Sequence, residues 1–300
     1  MTNARRSKAV DTAKAQLPSK HDTPEWVEKF ARVGFGAKGT VYLLVGVLAV
    51  MAVAGEGGSV GGSKNALASL GAAPFGQVLL ALVALGLLAF TVWRLIQAMT
   101  DPGREGSDGK GIAKRIGYAA SAVTHLALAA YAGSLVLGQR SVQASGGSGS
   151  GSASGSGSGR STAADYTAEL MAQPFGRWLV GILGAILVGV GVYQFGRAKE
   201  ASFMDKYRRA EMEPKTARAA KRLGQIGLSA RGVVFLIIGG FTIQAAVQAQ
   251  PSETRGLGGA LATLAEQPYG PWLLGLVAAG LAAYGLFCFS YARYRDFQHS

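Results

Sequence analysis

Few side chains in this sequence could do chemistry, and most of them stand alone. His125 lies in the run "SAVTHLAL", with Ser121 and Thr124 within one helical turn of it. An ionisable side chain inside an apolar run is a candidate for proton transfer or ligand contact. A relay needs a carboxylate at the same depth, and none of the 17 Asp/Glu falls in an apolar run. The preferred reading of His125 is therefore a neutral, hydrogen-bonded structural residue. Gln194 and Gln244 could line a polar path with it, or simply bond between helices. Lys38 and Arg231 each border an apolar run. Two readings stand for them: contact with a lipid phosphate or other anion, or anchors that snorkel to the membrane surface. Cys288 is the one cysteine, so no intrachain disulfide can form. His21, His125 and His299 sit on a tail, an apolar run and a terminus, too scattered to build a metal site with Cys288. No nucleophile with its base and no phosphate loop is visible. The expectation is no enzyme, no metal and no cofactor.

The elements that position these residues follow from where charge is missing. No Asp, Glu, Lys or Arg occurs in 39–55, 75–93, 116–139, 178–196, 232–252 or 267–292. About 20 apolar residues cross a bilayer core as a helix. Six such runs predict six transmembrane helices, the shorter ones extended by snorkelling of Lys38 and Arg94. The first thirty residues lack the apolar core of a signal peptide. With a cytoplasmic N-terminus, 25 of the 30 Lys/Arg fall on the inner side. That asymmetry sets N-in, C-in orientation. The net charge of +13 is then mainly a topology signal, with attraction to anionic inner-leaflet lipids as a second effect. Nucleic acid is not an expected partner, because the basic loops lack interleaved aromatic platforms. Trp93, Trp178 and Trp272 fall at the boundaries, as an aromatic belt would.

The chain also repeats itself. "APFGQV" begins at Ala73, "QPFGRW" at Gln173 and "QPYGPW" at Gln267, each before an apolar run. From Pro74 and Pro268 onward, ten of seventeen positions are identical. Gly34, Lys38 and Tyr42 fall opposite Gly227, Arg231 and Phe235. The middle copy keeps Gly117 but has Ser121 and His125 at the next two places. Three tandem two-helix hairpins result, related by an axis along the membrane normal. The rows Gly181, Ala185, Gly189 and Gly275, Ala279, Ala283 read as helix-packing faces. Short amphipathic segments precede each repeated phrase and should lie along the outer surface. Each phrase is then an elbow: Pro74, Pro174 and Pro268 open a spanning helix at its first turn. Phe75, Phe175 and Tyr269 sit at headgroup depth, and Gly76, Gly176 and Gly270 permit close helix approach. "DTPEWVEKFARVG", with Thr23 as cap, reads as an interfacial helix feeding the first span.

These phrases, above all the tripled "QPFGRWLVGI" type, resemble bacterial, mainly actinobacterial and cyanobacterial, membrane proteins with three repeats of domain of unknown function 1206. The resemblance covers roughly 31–297. It implies the fold and the membrane location and carries over no functional residue. The expected architecture is an all-α membrane protein with six transmembrane helices and pseudo-threefold symmetry. A cytoplasmic tail spans 1–21, repeat one 22–99, repeat two 112–198 and repeat three 215–297. A Gly/Ser linker at 145–160 interrupts repeat two. The expected role is a structural or interaction protein of the bacterial plasma membrane that organises lipids or unidentified protein partners. The alternative is a small transporter or channel with a path on the pseudo-threefold axis. Orientation is directly testable: thiol labelling of intact cells should reach a cysteine at Ser152 and miss one at Lys206. Labelling at Lys206 would contradict the topology.

Overall fold

The computed structural model describes residues 25–100, 109–138, 164 and 167–295. The tail and the Gly/Ser linker lie outside these residues, as do Thr23 and Pro24. Six long apolar helices are α1 (Glu25–Ala54), α3 (Gly76–Thr100), α4 (Gly109–Val136), α5 (Gly176–Glu200), α6 (Pro214–Gln248) and α8 (Gly270–Tyr294). Two short ones, α2 (Ser63–Ala72) and α7 (Leu257–Ala265), precede the elbows of repeats one and three. No strand occurs among the described residues.

Packing follows chain order. α1 packs on α3, α3 on α4, α5 on α6, α6 on α8, and α8 returns to α1. Among the described residues, no comparable contact joins α4 to α5. The six helices thus trace a ring of three hairpins with one seam open, and that seam is the hairpin of the middle repeat.

Sequence explains the open seam. In lipid no hydrophobic effect drives helices together, so close backbone approach must supply the dispersion energy. A Cβ on Gly34 would lie 2.6 Å from Phe90 Cα, and one on Gly227 would lie 2.5 Å from Tyr284 Cα. Only glycine allows these two hairpins to close so tightly. The equivalent Gly117 has nothing within 4 Å of the same position. In the same two closed hairpins, Gly86 and Gly280 each face an alanine, Ala37 and Ala230. The middle repeat places Ile186 there, and it is exposed. Accordingly only 22% of the α4 and α5 span windows is buried, against 39–50% for the other four.

The elbows differ from expectation by two residues. The spanning helices begin at Gly76, Gly176 and Gly270, and the prolines sit in the turn before them. Gly76 N–H donates to Ala73 O (2.8 Å), Gly176 to Gln173 (2.9 Å) and Gly270 to Gln267 (2.7 Å). Pro takes the second place of this four-residue turn. The aromatic takes the third, with φ of 58° at Phe75 and 62° at Phe175 and Tyr269. This is the pattern of a type II turn, which asks for positive φ at that place. The aromatics remain largely exposed. The following glycine faces a short helix, not another span. A Cβ on Gly76 or Gly270 would collide with the final carbonyls of α2 or α7, and one on Gly176 with Leu170 O.

Other expectations also shift. α1 is one continuous helix from Glu25, with no separate interfacial piece; Trp26, Phe30 and Val33 form its exposed apolar face. α6 is likewise continuous over 35 residues, capped by Pro214 at its first position. Trp178 and Trp272 are exposed near the elbows, but Trp93 is fully buried in the core. Of the two expected packing rows, Ala185, Gly189 and Ala279 are exposed, and a Cβ on Gly181 or Gly275 would touch Ala246 or Val53 at 3.7 or 3.8 Å. Gly184 and Gly191 meet α6 more closely. At the opposite end from the elbows, the 201–213 segment buries Phe203, Met204 and Tyr207 between the helix ends. Tyr207 shares a hydrogen bond with Ser290 (2.7 Å), and burial raises its pKa, so the phenol stays protonated. Glu28 holds Arg32 (2.6 Å) and Arg208 (3.1 Å) at this end.

The seam account separates three chemically identical changes. Gly34→Ala and Gly227→Ala should each cost about 1–3 kcal/mol through overpacking. Gly117→Ala should be neutral, or stabilising by up to about 1 kcal/mol through helix propensity. Thermal unfolding in detergent measures the difference, and equal losses at all three sites would contradict it.

Candidate functional site

The packing of α1, α3, α6 and α8 brings positive charge into the ring. Lys38 is 5% exposed. It does not snorkel. Its Nζ lies 4.9 Å from the Phe90 ring centre, 5.7 Å from Tyr284 and 6.0 Å from Tyr42. Arg231 turns into the same site: its guanidinium stacks 4.5 Å from Tyr284 and 5.4 Å from Tyr42, and donates to Tyr284 Oη at 2.8 Å. Arg94 is not a snorkelling anchor either. It packs 4.9 Å from Phe90 and 5.1 Å from Tyr118, and donates to Gln97 Oε1 at 2.8 Å. The cause is local: α1 meets α3 through Gly34 and α8 through Gly39, which turns Lys38 inward against the facing aromatics.

The repeat explains the layout. Each cation of repeats one and three sits against an aromatic of its own hairpin partner, Phe90 for Lys38 and Tyr284 for Arg231. Each also neighbours the aromatic four residues on, Tyr42 or Phe235. The middle repeat has Ser121 and His125 at these places and Val190 opposite. His125 packs on Phe90 with ring centres 4.6 Å apart. Its Nδ1 donates to Ser121 O at 2.7 Å, which fixes the tautomer when the ring is neutral. Phe90 thus carries Lys38, Arg94 and His125 around one ring.

The charge is unbalanced. No ion pair among the described residues involves Lys38, Arg94 or Arg231. The Nε atoms of Arg94 and Arg231 are buried without a hydrogen-bond partner among these residues. Cation–π contacts contribute about 0.5–2 kcal/mol each. Desolvating a charge costs several kcal/mol, so the rings alone do not offset burial. Two unit charges about 10 Å apart also repel by roughly 1.5 kcal/mol at an effective dielectric of about 20. Lys38 and Arg231, facing the same two rings, lie within about that distance.

The two glutamines do not join this site or each other. Gln194 is buried on α5 near the basic end, and Gln244 is exposed near the elbow end of α6. Cys288 is buried beside the cluster. Among the described residues, no group of three or more His, Cys, Asp or Glu could hold a metal ion. Sequence reading missed Arg94, Phe90, Tyr42 and Tyr284 as members. The signal was present: the repeat alignment sets Phe90 opposite Tyr284, and Tyr42 opposite His125.

The ring of six membrane-length helices and the three repeats define a multi-pass integral membrane protein. The chain belongs to the family of Domain of Unknown Function (DUF1206), which matches residues 33–101, 145–200 and 226–295. The middle match leaves out α4, the helix that departs most in sequence. The chain is also 35% identical over 268 residues to the Uncharacterized protein YxxB of Bacillus subtilis (strain 168), covering 89% of this chain and 91% of that relative. No solved structure matches it.

Removing a buried, unpaired charge should stabilise. Lys38→Met in lipid-stripped detergent should raise stability by about 1–4 kcal/mol. A lower melting temperature would show that the aromatic contacts outweigh desolvation.

Proposed function

We propose that this chain is a non-enzymatic, lipid-organising interaction protein of the bacterial plasma membrane, with both termini in the cytoplasm. One observation carries the reading: Lys38, Arg94 and Arg231 converge without a carboxylate among the described residues. Groups of a single sign bind and hold. They do not divide into the acid and base that proton-transfer catalysis uses. The 25 Lys/Arg that the topology assigns to the inner side add attraction for anionic headgroups and acidic partner surfaces.

Retained lipid tests this. Native mass spectrometry of the purified full chain should find acidic phospholipid enriched over zwitterionic lipid. The double variant Lys38→Met, Arg231→Met should weaken that retention by roughly tenfold or more, given about 1 kcal/mol per cation near lipid charge. Unchanged retention would remove the lipid reading. Solute flux in proteoliposomes that the same variant abolishes would favour the transporter alternative.

A further inference from the structure

We infer that the open seam between α4 and α5 is the lateral entrance through which an anionic phospholipid reaches the Lys38–Arg231 cluster. Its phosphate would lie at the cations and an acyl chain along the seam. This rests on the lipid reading above and names its route and ligand.

Three observations converge. The seam is open at the depth of the cluster: Gly117 has nothing within 4 Å of its Cβ position, whereas its counterparts Gly34 and Gly227 are shut against Phe90 and Tyr284. The seam cannot close by the same contact, because Ile186 stands where Gly86 and Gly280 meet alanines. The residues that the repeat assigns to the missing contact are apolar and exposed: Ala120, in the place of Ala37 and Ala230, and Ile186, in the place of Gly86 and Gly280.

The third member of each symmetric set points the same way. Ser121 occupies the place of Lys38 and Arg231, so the middle repeat brings no cation to the site. The positive groups come from two repeats, and the third supplies an uncharged wall and a gap. An anion held from two sides would project its remainder through the third. The unpartnered Nε atoms of Arg231 and Arg94 are additional donors for phosphate oxygens. A small inorganic anion would match the charge but would leave an apolar side opening without an occupant. A phospholipid matches both charge and opening.

The test uses the full chain in detergent with phosphatidylglycerol. Gly117→Trp places a bulky side chain in the seam at a position with free space, and leaves all three cations in place. Bound phosphatidylglycerol should fall by roughly tenfold, as in the Lys38→Met, Arg231→Met variant, with an unchanged melting temperature. A benzophenone side chain at Ile186 should crosslink phosphatidylglycerol on illumination, and the double variant should abolish the crosslink. Lipid retained in Gly117→Trp but lost in the double variant overturns the seam route and leaves the lipid site standing. Retention in both overturns the lipid reading itself. Saturable inorganic phosphate binding that phosphatidylglycerol fails to displace makes this a site for a free anion and also overturns the proposal.

Discussion

Close backbone contact between helices is the constraint on which this structure depends. Inside a bilayer the lipid tails are as apolar as leucine, so burial of apolar surface drives little. Contact must come from shape. The chain meets the demand with small residues at repeat-matched places. Where they are present, as at Gly34 with Phe90 and at Gly227 with Tyr284, the hairpin closes. In the middle repeat, Val190 stands opposite Gly117 and Ile186 replaces the glycine found at Gly86 and Gly280, and the hairpin stays open. The departures of the middle repeat thus leave one of the three hairpins without the close contact that the other two make.

The same tight contacts decide the fate of the charges. A lysine at the edge of an apolar run normally snorkels. Lys38 is held among α1, α3 and α8, and its ammonium has only rings to meet. Arg231 enters the same space from the pseudo-symmetric position. The cations therefore do not follow from local sequence alone. They follow from ring closure, which points repeat-equivalent residues of α1 and α6 at shared aromatics. The net result is positive charge buried in a membrane domain, with desolvation and mutual repulsion opposing a few cation–π contacts. An anionic ligand would relieve that imbalance, and the open seam would let one with apolar tails arrive from the bilayer.

Much of the architecture was legible in the sequence because the signals were long. Six charge-free runs and three copies of one phrase each extend over many residues. Local geometry was less legible. The prolines were expected inside the first helical turn, but the turn they start needs a positive φ at the next residue, and the helix begins only after it. On α5 the close contacts with α6 fall at Gly184 and Gly191, and of the expected row only Gly181 touches α6, since Gly and Ala are so common there that spacing alone does not select a face. Lys38 and Arg94 were expected at the membrane surface because snorkelling is a property of one helix, whereas the burial of Lys38 and the stacking of Arg94 on Phe90 and Tyr118 are properties of several. His125 was read as a residue without a carboxylate at its depth; its packing on Phe90 could be found only through the repeat alignment.

The most direct measurement is an experimental structure of the full chain in nanodiscs containing phosphatidylglycerol. The account predicts a gap between α4 and α5 occupied by lipid, with phosphate oxygens within hydrogen-bond reach of Lys38 Nζ and the Arg231 guanidinium. A closed α4–α5 seam, or Lys38 paired with a carboxylate of the chain itself, would contradict it.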